Sequence, residues 1–396
     1  MPNFVSERSS RFTESVIREM TRLAEHHDAI NLAQGFPDLP CPKQVKDSAK
    51  ASIDGDGFYQ SSGLDANQYS LTWGTRHLRE AIAQSYQKRT TLAIDPEKQV
   101  VVTCGATEAM AATMLAVVDP GEEVIVFEPF YENYGPDVAL CGARPRFVRL
   151  REPDFHIDEE ELRRAFNYNT KAIVINSPNN PTGKVFTARE LELVASLCME
   201  WDVLAITDEI YQHFVYDGRK HISLSSLPGM SELTITINSI SKAYGVTGWR
   251  VGWAIAHGEI MDAIRKVHDF LTVSAPHPFQ DAAVEALQLP DSYYEDLTLA
   301  YARRRDLMVE GLTQAGFRVQ PPQGSYYIMA DIAGFGYESD VHFAEYLVRE
   351  LGVACVPGSS FYEHSEHGRS RVRFAFGRRP EVLSAACQRL RRLREI

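Results

Sequence analysis

The sequence predicts an α/β fold, in which a large domain with a mostly parallel central sheet is joined to a smaller α+β domain. Between about residues 98 and 255, short β-branched runs alternate with longer helical segments, which is typical of βα units. The runs are too continuously apolar to have one solvated face, as expected for the central strands of a parallel sheet. After residue 290 the pattern changes, and this change predicts the second domain.

Five apolar runs are predicted to be the strands of the large sheet, over residues 100–103, 123–127, 172–175, 203–207 and 234–237. Helices are predicted over residues 107–118 and 187–201. The second of these has apolar residues at i, i+3 and i+4 spacing, namely Leu191, Val194, Leu197 and Cys198. Thr187 and Glu190, three residues apart, form a capping box that marks its start.

The C-terminal part begins with a long charged amphipathic helix predicted near residues 293–315. A strand near 326–330, a helix near 341–351 and a terminal helix come after it. We expect residues 45–290 to form the large domain, and residues 1–44 together with 291–396 to form the small one.

Composition excludes several classes of protein. The chain has 396 residues, of which 44% are hydrophobic and 24% are charged. Its longest apolar stretch, residues 109–118, is shorter than the roughly 18 residues of a membrane span. The net charge of -12 disfavours binding to nucleic acid, which requires concentrated positive charge. We therefore expect small-molecule partners and no membrane association.

Six cysteines occur singly, without C-x-x-C spacing: Cys41, Cys104, Cys141, Cys198, Cys355 and Cys387. This spacing indicates neither a disulfide framework nor a zinc site, so we expect reduced thiols and no metal. The first residues lack the basic and apolar stretches of an export signal. The expected location is the cytoplasm.

Polar residues lie directly after each predicted strand, at the edge of an α/β sheet where ligands bind. They occupy residues 104–108, 128–131, 176–183, 208–211 and 238–242. Pyridoxal phosphate needs a lysine, an acid for its ring nitrogen, donors for its phenolic oxygen, a flat stacking surface and a phosphate cup. Each of these requirements has a candidate at a different strand end. The sequence thus favours a pyridoxal-phosphate site.

The order of these motifs resembles the class I and II aminotransferases of fold type I, along essentially the whole chain. Within them it is most similar to the group of kynurenine aminotransferases, glutamine transaminases and methionine aminotransferases. The motifs that carry the resemblance are residues 31–38, 67–69, 105–107, 176–183, 208–211, 239–250 and 371–374. The resemblance implies ping-pong transfer of the amino group of an L-α-amino acid to a 2-oxo acid. It implies an aromatic, methionine, glutamine or broad donor range.

The resemblance also implies catalytic roles for three residues. Lys242, in a motif with Arg250 eight positions later, matches the lysine that forms the Schiff base with the cofactor and moves the substrate proton. Asp208 matches the carboxylate that binds the protonated ring nitrogen, although an aspartate after a strand can also be a helix N-cap. Tyr211 and Asn180 match the donors to the phenolic oxygen.

The resemblance assigns the remaining cofactor contacts as well. The turn of Gly105, Ala106 and Thr107 matches the phosphate-binding helix N-terminus, although many βα turns use small residues merely as caps. The family pattern completes this cup with three further residues, Ser239, Ser241 and Arg250. Tyr131 matches the ring that stacks on the cofactor, and an aromatic residue there could otherwise belong to the core.

For the substrate, the resemblance implies that Arg373 grips the α-carboxylate, assisted by Gly35 and by Asn180 or Asn176. Tyr69 matches a residue that reaches the phosphate of the neighbouring subunit, which implies a homodimer. Ile17 stands where kynurenine aminotransferases have an aromatic residue over the substrate, and this disfavours kynurenine as the preferred donor. No motif fixes a second arginine for a dicarboxylic substrate.

Two alternatives remain at this point. A lyase, oxidase or cyclase on the same fold would share the same cofactor contacts, because its chemistry differs only in the steps after removal of the substrate proton. The effector-sensing domains of some transcription regulators also share the fold. The acidic net charge disfavours that second alternative.

Overall fold

The computed structural model describes residues 4–55 and 65–395. The helices are α1 (Val16–His26), α2 (Lys43–Ile53), α3 (Arg76–Thr90), α4 (Ala106–Val117), α5 (Tyr134–Leu140), α6 (Glu159–Ala165), α7 (Ala188–Trp201), α8 (Gly258–Thr272), α9 (His277–Leu287), α10 (Asp291–Ala315), α11 (Asp340–Tyr346) and α12 (Pro380–Leu390). The strands are β1 (Ile30–Asn31), β2 (Val100–Thr103), β3 (Glu123–Glu128), β4 (Arg144–Arg149), β5 (Thr170–Asn176), β6 (Leu204–Asp208), β7 (Thr234–Ser239), β8 (Gly252–Ile255), β9 (Arg318–Val319), β10 (Tyr327–Asp331), β11 (Val353–Ala354), β12 (Val356–Pro357) and β13 (Arg371–Ala375).

The large sheet has seven strands in the order β2-β8-β7-β6-β5-β3-β4. Strands β3 to β7 pair in parallel, and only β8 runs antiparallel to its neighbours β7 and β2. The prediction of a mostly parallel central sheet is confirmed. All five predicted strands are present, each within two residues of its expected bounds.

Helices cover both faces of this sheet, which explains why the five predicted strands are apolar almost throughout. Successive residues of one strand belong to opposite cores, because side chains alternate across a strand. Val126 and Val174 pack on one face and Ile125 and Ile173 on the other. Each residue is buried, so none of these strands has a solvated face.

Helix α7 begins as predicted, with Thr187 as its N-cap and a complete capping box with Glu190. The predicted helix over residues 341–351 is divided. Helix α11 ends at Tyr346, and Leu347–Leu351 continues as a π-helical turn. Helix α10 is as long as expected and connects the large sheet to the C-terminal part.

A second, antiparallel sheet in the C-terminal part has the order β12-β13-β10-β9. Strand β1 from the N-terminal part pairs in parallel with β11, so the two ends of the chain meet. In the described part of the chain, no helix is both long and apolar enough to cross a bilayer.

Candidate active site

The carboxyl ends of the parallel strands meet at one edge of the large sheet. Asn176, the last residue of β5, pairs with Asp208, the last residue of β6. Its Nδ2 donates to the Asp208 carbonyl oxygen at 3.0 Å. A cavity of about 230 Å³, called here the central cavity, opens at this edge. It is lined from the strand ends, from α4 and α5, and from the segment around α1.

Lys242 lies in the loop after β7 and lines the central cavity. Its Nζ donates to the carbonyl oxygen of Gly35 at 3.1 Å. The pKa of Lys242 is lowered to about 8, chiefly by burial and in part by Arg250 and Arg373, while Asp208 opposes the shift. An amine with this pKa is partly unprotonated near neutral pH, which a nucleophile or proton acceptor requires.

Asp208 is buried at the end of β6 and also lines the central cavity. One carboxylate oxygen accepts from the Tyr134 hydroxyl at 2.8 Å and the other from the Ile210 N–H at 3.3 Å. Burial raises the pKa of Asp208 to about 6, while the Tyr134 hydroxyl and nearby Lys242 lower it. No helix begins at Asp208, so it is not an N-cap. The carboxylate forms no ion pair in the described part of the chain and can receive a cationic ligand.

Tyr211 and Tyr327 form the wall beside Lys242. Their hydroxyl groups are 2.8 Å apart and hydrogen-bonded, and both side chains are buried. Gly35 lies against this pair, and a Cβ built at Gly35 would be only 1.9 Å from the Tyr327 hydroxyl oxygen. Only glycine fits at this position without moving the tyrosines.

Asn180 connects the cavity to Arg373. The Oδ1 of Asn180 accepts from Nη1 of Arg373 at 2.8 Å, and the other terminal nitrogen of Arg373 donates to the Ala33 carbonyl at 2.5 Å. The guanidinium is fully buried and lies over the Tyr327 ring at 4.4 Å. Its Nε has no hydrogen-bond partner in the described part of the chain. Arg373 therefore lies directly behind the residues that line the cavity.

The opposite end of the cavity is built to bind an anion. Gly105 is the N-cap of α4 with φ 85°, so the first N–H groups of the helix face the cavity. A Cβ at Gly105 would be 2.4 Å from a terminal nitrogen of Arg250. Arg250 has φ 55°, an uncommon conformation for a residue with a side chain. Ser239 and Ser241 line the same end.

The structure brings most of the predicted site residues together. Those that line the central cavity are Ala106, Thr107, Tyr131, Asn180, Asp208, Tyr211, Ser239, Ser241, Lys242, Arg250 and Gly35. Gly105 and Arg373 lie directly behind this lining. Tyr69 does not line the cavity of its own chain, and its side chain is 78% exposed.

Sequence reasoning missed several residues of the site. Tyr134 binds Asp208 and its ring meets that of Tyr131 edge to face at 5.7 Å. Glu132 accepts hydrogen bonds from the Ser15 hydroxyl and the Ile17 N–H, and so holds the start of α1 over the cavity. The motif of residues 128–131 ended just before these two residues, and their partners are distant in sequence.

The side chains fit pyridoxal phosphate, a phosphorylated aromatic ring with a cationic nitrogen. The α4 N-terminus, Arg250 and two serines can hold the phosphate, and the buried Asp208 carboxylate can meet the ring nitrogen. Lys242 supplies the amine between them. The missing Cβ at Gly105 leaves the space that the Arg250 guanidinium occupies.

Comparison with known proteins agrees with this geometry. A family model described as "Aminotransferase class I and II" matches residues 27–390. A probable N-succinyldiaminopimelate aminotransferase of Mycobacterium tuberculosis is 38% identical over 395 residues, which cover 97% of each chain. Human kynurenine–oxoglutarate transaminase 1 is 37% identical over 405 residues, with 94% of each chain covered.

Solved structures are equally similar. The N-succinyldiaminopimelate aminotransferase of Mycobacterium tuberculosis has a TM-score of 0.94 at 38% identity, covering 98% of this chain and 100% of that one. An Escherichia coli protein with a methionine aminotransferase function has a TM-score of 0.90 at 31% identity, covering 99% and 100%. These relatives are aminotransferases, so they do not favour a lyase, oxidase or cyclase.

Proposed function

Since the chain belongs to the class I and II aminotransferases and is a pyridoxal-phosphate-dependent enzyme of amino-acid metabolism, we propose that the central cavity is its active site. The observation that carries this proposal is the placement of Lys242 and Asp208 in one cavity. The amine has a lowered pKa, and the buried carboxylate forms no ion pair within the described residues. Two buried titratable groups with shifted pKa values in one cavity are typical of a functional site.

Each side chain has a defined task in this proposal. Bound pyridoxal phosphate supplies an electron-withdrawing ring that stabilises negative charge at the substrate Cα. The Asp208 carboxylate holds the proton of the ring nitrogen. Lys242 Nζ binds the cofactor and moves the proton at the substrate Cα. Tyr211 and Asn180 donate to the phenolic oxygen, and Tyr131 covers the ring face.

The phosphate and substrate are held at opposite ends of the cavity. Gly105, Ala106 and Thr107 present helix N–H groups to the phosphate, together with the hydroxyl groups of Ser239 and Ser241 and with Arg250. Arg373 binds the substrate α-carboxylate, with Gly35 and Asn180 beside it. Asn176 has a different task, because both ends of its amide already hold the strand-end loop.

For the amino donor we propose an aromatic amino acid, methionine, glutamine or a broad range of these. Relatives of this chain include a kynurenine–oxoglutarate transaminase and a protein with a methionine aminotransferase function. Ile17 lines the cavity where it can contact an apolar substrate side chain. An aliphatic residue at this position fits methionine at least as well as an aromatic donor.

A half-reaction screen tests the proposed function. The holoenzyme is mixed with single amino acids, and the absorbance of the bound cofactor is monitored as it converts to its amine form. Addition of 2-oxoglutarate should then restore the starting spectrum. Phenylalanine, methionine or glutamine should give conversion. If products other than a 2-oxo acid formed and the spectrum did not cycle, amino transfer would be the wrong reaction.

We also propose a homodimer in which Tyr69 reaches the active site of the neighbouring subunit. Exposed apolar side chains accompany Tyr69, namely Leu71, Phe270, Leu271 and Val273. The segment after Tyr69 is tied to α8 by a hydrogen bond from His268 to the Thr72 carbonyl oxygen at 2.8 Å. An exposed apolar surface of this kind favours a protein interface.

Two further parts of the proposal concern organisation and location. Residues 45–290 form the large domain, and residues 1–44 with 291–396 form the small one. Pairing of β1 with β11 supports this division. Location in the cytoplasm is supported by six free cysteines, because a reducing compartment keeps thiols free. Fractionation of cells that carry the tagged protein tests the location.

A further inference from the structure

We propose that Arg18 is a specificity-determining residue, which binds a carboxylate at the far end of the side chain of an amino acid or 2-oxo acid substrate. This inference rests on the proposed function, because it assumes that substrates bind in the central cavity. It adds a second cationic contact, apart from Arg373, that no sequence motif indicated.

Three cationic side chains line the central cavity: Arg18, Lys242 and Arg250. Lys242 lies beside Gly35 in the wall, and Arg250 lies against Gly105 at the anion-binding end. Arg18 comes from α1 instead, and Ile17 in the same helix also lines the cavity. A substrate side chain that contacts Ile17 therefore has the Arg18 guanidinium within the same wall.

The Arg18 guanidinium has no ion-pair partner within 4 Å among residues 4–55 and 65–395. The acidic residue just before the helix, Glu14, is held by Arg22, with distances of 2.5 and 3.0 Å to its two carboxylate oxygens. The two carboxylate oxygens of Glu132 accept hydrogen bonds from the Ser15 hydroxyl and the Ile17 N–H. These two carboxylates are thus engaged by other groups, and burial raises the pKa of Asp137, which shares the cavity lining with Arg18, to about 7.

The position of Arg18 in its helix is unfavourable without a ligand. Ser15 is the N-cap of α1 and accepts from the backbone N–H of Arg18, so Arg18 is in the first turn. The positive end of the helix dipole favours acidic residues there and disfavours a cation by roughly 0.3–1 kcal/mol. Local preferences of this kind are broken most often at functional or strained sites.

Arg18 also lies where the central cavity opens outward. Five residues line both this cavity and an outer groove of about 850 Å³: Ser15, Arg18, Glu132, Asn133 and Asp137. A substrate side chain that leaves the cavity at this opening passes the guanidinium. The Arg18 side chain is exposed, so it can turn towards a carboxylate or away from a neutral side chain.

Ligand binding to the holoenzyme tests the inference without turnover. Glutarate has two carboxylates, whereas pentanoate has the same chain length and only one. We expect Arg18→Gln to weaken glutarate binding about tenfold and to leave pentanoate binding unchanged. Arg18→Lys should restore part of the loss. Arg163→Gln is the charge-matched control, because Arg163 is exposed on α6 and paired with Glu159.

Half-reactions separate this inference from the proposed function. In Arg18→Gln, kcat/KM for glutamate should fall about tenfold through KM, and that for methionine should stay unchanged. Suppose that wild-type enzyme transfers amino groups, and that Arg18→Gln binds glutarate as tightly and uses glutamate as well as the wild type. Arg18 would then not bind the distal carboxylate. The inference would also be overturned if wild-type enzyme preferred a basic amino donor and if Glu132→Gln, rather than Arg18→Gln, changed that preference. Failure of wild-type enzyme with every amino acid would refute the proposed function itself.

Discussion

The hydroxyl group of Tyr134 influences the charge of Asp208, the buried acid of the proposed site. It is buried and donates to Asp208 at 2.8 Å, and it holds the Asp208 pKa below the value that burial alone would give. Tyr134 also packs edge to face against Tyr131. A single side chain therefore orients both the acid and the stacking ring of the proposed site.

We predict that Tyr134→Phe raises the pKa of Asp208, because the variant loses a donor to the ionised carboxylate. In the wild type, affinity for pyridoxal phosphate should fall as the pH decreases through about 6, where Asp208 becomes protonated. In the variant that fall should occur about one pH unit higher, since a hydrogen bond to a charged group contributes roughly 1.5–3 kcal/mol.

Equilibrium cofactor binding, monitored by absorbance between pH 5 and 9 (roughly the span in which carboxyl and amine groups with shifted pKa values titrate), measures this shift. Tyr168→Phe is the matched control, because Tyr168 is 99% exposed and far from the cavity lining. An unchanged pH profile in Tyr134→Phe would show that the hydroxyl does not set the charge of Asp208.

The site residues differ in how far the sequence could predict them. Lys242 and Asp208 belong to recognisable motifs at strand ends, so both could be proposed from the sequence, and both line the central cavity. Tyr134, Glu132 and Arg18 belong to no motif. The roles of Tyr134 and Glu132 depend on partners more than 70 residues away, such as Asp208 for Tyr134 and Ser15 for Glu132, and periodicity carries no information about such contacts.

Among the elements, the segment between β1 and α2 connects the chain's N-terminal part to the active site. Gly35 in this segment accepts a hydrogen bond from Lys242 and packs against the Tyr327 hydroxyl. The segment therefore positions both the lysine and the tyrosine wall of the central cavity.

We predict that Gly35→Ala destabilises the fold by about 1–3 kcal/mol and weakens binding of substrate, because the added methyl group would overlap the Tyr327 hydroxyl. Urea unfolding and the KM for the amino donor measure the two effects. Gly334→Ala is the control, since a Cβ there would meet no atom within 4 Å. Equal stability and KM in both variants would contradict the tight contact at Gly35.

Prediction of elements succeeded where the local pattern was strong. The Thr187 capping box and the five apolar runs were correct because each signal is complete within a few residues. Strands β4 and β8 were not predicted. In β4 polar arginines alternate with apolar residues at the sheet edge, and β8 is short and comes directly after the lysine loop. The π-helical turn after α11 has no sequence signal that we can identify.

At the scale of the whole molecule, both ends of the chain return to one sheet edge. Gly35 from the N-terminal part and Arg373 from the C-terminal part lie on either side of Tyr327. Much of this arrangement could be anticipated, because the order of motifs resembles a known family. The opening next to Arg18 could not, since it depends on how Glu132 holds the start of α1, which lies more than 100 residues earlier in the chain.

The proposed dimer predicts complementation between two defective subunits. Lys242→Ala lacks its own lysine, and Tyr69→Ala lacks the residue offered to the neighbouring site. After unfolding and refolding of an equal mixture, random pairing makes one site in about four complete. Activity should therefore return to about a quarter of the wild-type value, and remain low in each variant alone. No recovery in mixed dimers would show that each subunit uses its own Tyr69.

The central claim is that Lys242, facing Asp208 in the central cavity, holds the cofactor. Borohydride reduction of the holoenzyme and then peptide mass spectrometry test it most directly, because reduction fixes the cofactor to the lysine that binds it. The cofactor mass should be found on the peptide that contains Lys242, and it should be absent from Lys242→Ala. Its presence on another lysine, or its persistence in Lys242→Ala, would contradict the account.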